Sequence, residues 1–369
     1  MRATDKEIQT VLMCLLRAGL WGGGDLAFAA PVSSGVWAAV YRAAKKHTIE
    51  GLVYDGVQQL PADLMPPRDL LLKWTVRIDQ IERHNLQMAA GIKAMSALFR
   101  RVGVTPTLLK GQGVAACYDK PEHRISGDVD WYFEDPAGYD EANQLIHAHG
   151  LNLKYVAGGS AEYSWGGIVV EHHKRMFDIH NPFCYGYLHR LKRQFHKKTQ
   201  RQQCLGNELT LPAPMLMIVQ VNAHILKHLL AFGLGIRQLC DSARLYYTFQ
   251  AELDGARLQE IYRKLGILSW IHLLHSVLVK HIGLPPQALP FPVPAGTVAD
   301  WMFEEIWQSG NFGFHDDRFK DQHINSELRR SQAGQRIWSN VKRYFKYAPM
   351  EAISFPVVQY ISKINAKVS

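Results

Sequence analysis

Cysteine is scarce in this chain, with five among 369 residues and no C-x-x-C pair. Cys14, Cys117, Cys184, Cys204 and Cys240 are scattered, which argues against a disulfide framework and reads as reduced thiols in a cytosolic protein. No closed four-ligand spacing of Cys and His is present either, so His172, His173 and His180 do not spell a structural zinc site. Long apolar runs are missing as well. The most apolar stretch, residues 211–236, carries Gln220, Asn222, His224, Lys227 and His228, which suits a buried helix and not a membrane span. The first twenty residues lack a small-residue cleavage site and instead show Thr4-x-x-Glu7, a capping box ahead of a helix. No internal repeat or low-complexity tract is visible. Acids are the minority charge, 33 against 42 Lys and Arg, for a net +9. What remains is an ordinary globular composition, 47% hydrophobic and 20% charged, long enough for two or three domains.

The informative stretch is 104–133, VTPTLLKGQGVAACYDKPEHRISGDVDWYF. Residues 104–109 are apolar and β-prone and stop at Lys110-Gly111-Gln112-Gly113, where two glycines allow a sharp turn and close approach to a ligand. A short helix over 114–118 would turn its free N–H groups toward those glycines and favour an anion there. Next comes Asp128-Val129-Asp130-Trp131. On a strand, Asp128 and Asp130 share one face and Val129 and Trp131 the other. Paired carboxylates repel unless a cation lies between them, and a hard ion such as Mg²⁺ (or Mn²⁺) meets that need beside substrate phosphates. Two other readings stay open from the residues alone. Gly111-Gln112-Gly113-Val114-Ala115-Ala116 also fits a dinucleotide fingerprint, though the chain lacks the repeating βαβ pattern that fingerprint needs. A surface turn with two solvated aspartates is the plain alternative, weakened by the apolar run that follows them.

Strand, glycine turn, helix and Asp-x-Asp together resemble the nucleotidyltransferase superfamily of the DNA polymerase β type. The wording LLKG…Y…P..R…DVDWY is more narrowly similar to the bacterial uncharacterised nucleotidyltransferase family often found near surface-polysaccharide genes, and the likeness covers roughly residues 30–280. The resemblance implies a third metal-binding acid on a later strand. Residues 175–180, RMFDIH, alternate so that Asp178 stands as a lone carboxylate on a strand, and FDIHNPF resembles the family's third motif, an acid with His180 two positions on. Glu171 in IVVEHH is the rival. Lys-Gly-Gln-Gly replaces the superfamily's commoner Gly-Ser turn and loses a hydroxyl contact to phosphate.

The expected architecture is α+β: a small mixed-sheet nucleotidyltransferase domain embedded between helical regions. The boundaries are 1–100 for an N-terminal helical region, 101–205 for the catalytic domain, 206–290 for a helical module and 291–369 for a basic C-terminal helical tail. In the first region, 36–46 and 69–101 read as helices, the second with a stripe of Leu72, Val76, Ile81, Leu86, Met88, Ile92, Met95 and Leu98. Strands are expected over 151–156, 168–171 and 175–180, the last two as a hairpin, and the charge-dense 189–201 reads as exposed. Arg237 and Asp241 either pair along one helix, or Arg237 joins His224 and His228 in lining the cleft.

The function expected is metal-dependent transfer of an NMP from an NTP to an acceptor hydroxyl or phosphate, with pyrophosphate released. Asp128, Asp130 and Asp178 are the expected catalytic and metal-binding acids. Lys110, Gly111, Gln112, Gly113, Arg124 and His180 are the expected nucleotide contacts. A catalytically silent nucleotide-binding or regulatory module on the same fold is the alternative. Residues 318–369 carry ten Lys and Arg against three acids, and Trp338, Tyr344 and Phe345 lie among them. That tail either packs on the core or meets an anionic membrane surface or anionic polymer; duplex nucleic acid is not expected. The expected location is cytoplasmic, with a peripheral position at the inner face of the membrane under the second option.

Overall fold

Helix α1 (Asp5–Trp21) begins where the Thr4 hydroxyl accepts from the Glu7 N–H at 3.2 Å and ends at Gly22 in the left-handed region. Helix α2 (Ser34–Lys46) buries Val36, Trp37, Val40, Tyr41 and Ala44, the stripe expected from three-to-four spacing. Helix α3 (Glu50–Val57) lies so close to α1 that a Cβ on Gly56 would fall 2.0 Å from the Leu15 carbonyl oxygen. Helix α4 (Arg68–Arg101) then carries the chain along the whole domain. Its buried row is Trp74, Ile78, Ile81, Asn85, Met88, Ile92, Met95 and Phe99. Leu72, Val76 and Leu86, expected on that stripe, are 51–66% exposed, because they fall outside this row on a helix that docks by one side only.

The computed structural model describes residues 4–23, 32–156, 159–195, 198–311 and 326–368. Its centre is a five-stranded mixed sheet. In chain order come β1 (Thr107–Leu109), α5 (Gly111–Ala115), β2 (Asp128–Tyr132), α6 (Pro136–Ala148), β3 (Lys154–Val156), β4 (Ser160–Trp165) and β5 (Ile168–His173). The spatial order is β1-β2-β5-β4-β3, with β2 and β5 parallel and every other pair antiparallel. Helix α5 starts earlier than expected, so both glycines lie inside it and Lys110 precedes it. Asp135 accepts from the Ala137 and Gly138 N–H groups and caps α6, so Asp135-Pro136 starts this helix. Of the glycine turn at 158–160, Gly158 lies outside the described residues.

The expected strand over 175–180 does not form. Both edges of β5 are already taken, by β2 and by β4, so no edge is left for a further strand. The segment leaves the sheet, and the N–H groups of His180 and Asn181 donate to the Glu351 carboxylate near the C-terminus. The hairpin partner of β5 is β4, which sequence reasoning passed over.

Helix α7 (Tyr185–Phe195) and the hairpin of β6 (Gln200–Cys204) and β7 (Asn207–Leu211) give regular structure within 189–201, where His189, Arg190, Arg193, Lys198 and Arg201 are exposed as expected. Leu188 and Leu191 anchor α7, and apolar residues at alternate positions of β7 anchor the hairpin. Helices α8 (Pro214–Leu230), α9 (Ile236–Phe249), α10 (Gly255–Lys264) and α11 (Leu268–Val277) form a bundle, and α8 and α9 line a cleft with β2 and β5. Asn222 of α8 is buried because its amide donates to the Tyr246 and Tyr262 hydroxyls and accepts from Ser242. Helices α12 (Asp300–Ser309), α13 (Ser326–Tyr344) and α14 (Pro349–Val368) complete the described chain. Val341 and Tyr344 of α13 are buried, whereas Trp338 and Phe345 stay exposed. Arg336 is buried as well. All five cysteines are free. Among the described residues no helix is long and apolar enough to cross a membrane. The fold is α+β, with helices flanking a central mixed sheet.

Candidate active site

Two adjacent parallel strands build one wall of the site. Asp128 and Asp130 share a face of β2, and the register pairs Asp130 with Glu171 on β5. Glu171 and His173, two apart, share the matching face of β5. The opposite face turns Trp131 and His172 inward against Phe99 of α4. Apolar packing behind the sheet thus fixes which way the carboxylates point. The structure brings four titratable side chains together where the sequence displayed only the first pair.

Asp130 is fully enclosed, and one of its oxygens, Oδ1, accepts from Lys110 Nζ at 2.9 Å and from His173 Nε2 at 2.7 Å. His173 Nε2 also lies 3.3 Å from Glu171 Oε2. Burial alone would raise the Asp130 pKa, but these cations hold it well below the carboxylate range. His173 shows the converse: burial works against its proton, and the bonds to Asp130 and Glu171 outweigh that, raising it to about 9. Lys110 and Arg237 support Asp128 less, and their charges are outweighed. Repulsion from Asp130, then burial, pushes its pKa up to about 6. Lys110 is held in a strained, positive-φ conformation at +46°, with its ammonium on Asp130.

The facing wall comes from the helical bundle. Asp178 accepts from Lys227 Nζ at 2.8 Å and from His224 Nδ1 at 2.7 Å, and His228 Nε2 lies 3.0 Å from His224 Nε2. Burial opposes ionisation of Asp178, yet Lys227 and His224 hold its pKa well down. Burial and the Lys110 charge keep His224 neutral, lowered to about 4. Arg124 grips Asp241 with two bonds, of 3.0 and 2.7 Å, and the Tyr118 hydroxyl donates to the same carboxylate at 2.8 Å. Of the two options for Arg237, pairing with Asp241 is therefore not the one adopted. Arg237 Nε instead donates to the Thr48 hydroxyl at 3.1 Å.

These walls enclose an open cleft of about 230 Å³. Of the residues singled out from sequence, Lys110, Gly111, Arg124, Asp128, Asp130 and Asp178 line it, as do His224, His228 and Arg237. Three do not. Gln112 is buried with its amide donating to the Asn85 carbonyl at 2.8 Å. Gly113 faces β7, where a Cβ would lie 2.8 Å from the Leu211 side chain. His180 turns toward Glu351. His173 and Lys227 line the cleft and were missed. The signal for His173 was E-x-H on a strand, matching D-x-D on its neighbour. The signal for Lys227 was its spacing of three from His224 on α8.

Whether the donors suit a divalent ion can be tested on their chemistry. Asp130, Glu171 and His173 each offer one ligand atom, and these atoms lie within 4.8 Å of one another. Two carboxylates and an imidazole suit Mn²⁺ and accept Mg²⁺ less readily through the nitrogen. The raised pKa of Asp128 marks a carboxylate short of positive charge at the same wall. The set therefore fits a divalent ion. No curated protein and no solved structure gave a match. A family model described as "Uncharacterised nucleotidyltransferase" matches residues 33–281, more than half of the chain, from α2 through the sheet to α11. With the paired-strand acids inside that span, the chain belongs to the uncharacterised nucleotidyltransferase family.

Proposed function

We propose that this protein transfers an NMP from an NTP to an acceptor hydroxyl or phosphate and releases pyrophosphate. The observation that carries this reading is the β2–β5 register, which gathers Asp128, Asp130, Glu171 and His173 opposite the cations of the helical bundle. Asp128, Asp130 and Glu171, with His173 beside them, would hold the divalent ion. When bound, such an ion offsets charge on the triphosphate during in-line displacement at the α-phosphorus. Lys110 and His173 neutralise Asp130 in its absence and hand that role over on loading. Asp178 stays ionised between Lys227 and His224 and orients the acceptor. For a hydroxyl acceptor, its proton passes to Asp178 and from there to solvent in the open cleft.

The test is pyrophosphate release from each of the four NTPs, with Mg²⁺ or Mn²⁺, against hydroxyl and phosphate acceptors. Release that disappears in Asp130→Asn supports the reading. Binding of an NTP without turnover under every condition would instead make the chain a silent binding module.

The acceptor side of this proposal includes an anionic membrane surface. Helices α13 and α14 leave Trp338, Ile353, Val357 and Tyr360 exposed around a shared apolar groove, while Lys342 and Lys346 stand exposed on α13 and just beyond it. Packing on the core accounts for Val341 and Tyr344, not for this outward row. Apolar side chains beside basic ones suit a negatively charged lipid headgroup layer. Residues 312–325, which hold part of the basic tail, lie outside the described residues.

A further inference from the structure

Thr48 follows α2 in the left-handed region, at φ +55°. Its N–H donates to the Lys45 carbonyl, and the next N–H, of Ile49, donates to Ala44. This is the helix-ending turn in which glycine is the usual residue, and a β-branched side chain there is strained. The strain therefore needs another reason. The Thr48 hydroxyl donates to the His47 carbonyl at 2.7 Å, which fixes its proton and leaves its lone pairs for an incoming donor. That donor is Arg237 Nε at 3.1 Å, from the first turn of α9. The two elements are in close contact, since a Cβ on Gly235 would lie 3.1 Å from the His47 oxygen.

Arg237 lines the cleft, and among the described residues it makes no ion pair. Its positive neighbour Arg124 is already committed to Asp241. Asp241 and Asp128 lie near enough to favour its charge, but neither is at ion-pair distance. A guanidinium held at one nitrogen, with two nitrogens left over, is built to take an anion with planar, paired donors. The anion consistent with this cleft is a phosphate.

We infer that Thr48 is a positioning residue that orients Arg237 to receive a phosphate group of the nucleotide in the cleft. The inference rests on the nucleotidyl-transfer reading and gives the N-terminal helical region a part in substrate binding. The hydroxyl removes one rotational freedom from the guanidinium, and the left-handed turn is the backbone that brings the hydroxyl within reach.

The experiment uses inorganic triphosphate with Mn²⁺ as a base-independent probe, titrated calorimetrically into the full-length protein. Thr48→Gly keeps the turn, removes the hydroxyl and is expected to weaken binding about tenfold, the scale of losing a hydrogen bond to a charged group. Thr48→Ser restores it. In an Arg237→Gln background, Thr48→Gly costs nothing further, because the residue through which it acts is gone. Unchanged binding in Thr48→Gly overturns the inference, as does an equal loss with and without Arg237. A Thr48→Gly chain that fails to fold assigns Thr48 to the α2 turn alone and overturns it too. Wild-type protein that takes up no triphosphate removes the underlying nucleotidyl-transfer reading, an outcome distinct from the other three.

Discussion

Asp128→Asn should stabilise the metal-free protein. Asp128 sits beside Asp130 and is drawn from its ordinary 3.8 up to about 6, first by that repulsion and then by burial. The folded state therefore binds more protons than the unfolded chain between those two values, and wild-type stability falls as pH rises through them. At pH 8 the cost is complete, about 2–3 kcal/mol, since each tenfold change in proton affinity is worth about 1.4 kcal/mol. At pH 5 about half of it remains. A neutral amide does not carry this cost, so the variant should gain about 2–3 kcal/mol at pH 8 and about half that at pH 5. In a chain of this size that is roughly a 3–5 °C rise in Tm. Differential scanning calorimetry in chelator at the two pH values measures it, and other titrating groups cancel in the difference. Adding Mn²⁺ should stabilise wild type more than the variant, because only wild type offers that carboxylate. A variant no more stable than wild type at pH 8, or a gain that does not shrink at pH 5, would refute the electrostatic account.

Glu171→Gln should weaken Mn²⁺ binding and abolish NMP transfer, whereas Asp178→Asn should lower kcat by orders of magnitude with little change in metal affinity. Isothermal titration with Mn²⁺ separates them, and reversed outcomes would make Asp178 the third metal ligand. Asp241→Asn strands the buried Arg124 guanidinium, and chemical denaturation should show a loss of about 3–5 kcal/mol; an unfolding midpoint equal to wild type would show that the pair is not structural. Full-length protein should sediment with anionic phospholipid vesicles at low ionic strength, and Trp338→Ala with Tyr360→Ala should release it. Indifference to vesicles, or capture by an anionic polysaccharide instead, would end the membrane proposal.

The two halves of the site differed in how readable they were, for a physical reason. Asp128 and Asp130 lie two apart on one strand, so strand periodicity alone places them on one face. The stripe of α2 and the cap of α1 are similarly local, set by spacing and by one hydroxyl. Glu171 and His173 obey the same periodicity, yet their meaning depends on which strand lies beside β5. That partner is β2, reached by a parallel pairing of residues about forty positions apart, and no local pattern encodes it. The same gap misled the reading of 175–180. Its alternation is real, but a strand needs a free edge as well as a pattern, and β2 and β4 had filled both. Asp178 still reaches the cleft because α8 supplies Lys227 and His224 to meet it. Thr48 lies furthest from legibility. In the sequence it is one hydroxyl after a helix; its use emerges only where α9 crosses the end of α2 and brings Arg237 within 3.1 Å. Spacing can reveal a carboxylate pair, but a cation and the hydroxyl that aims it come from separate elements and meet only through the packing of the helices.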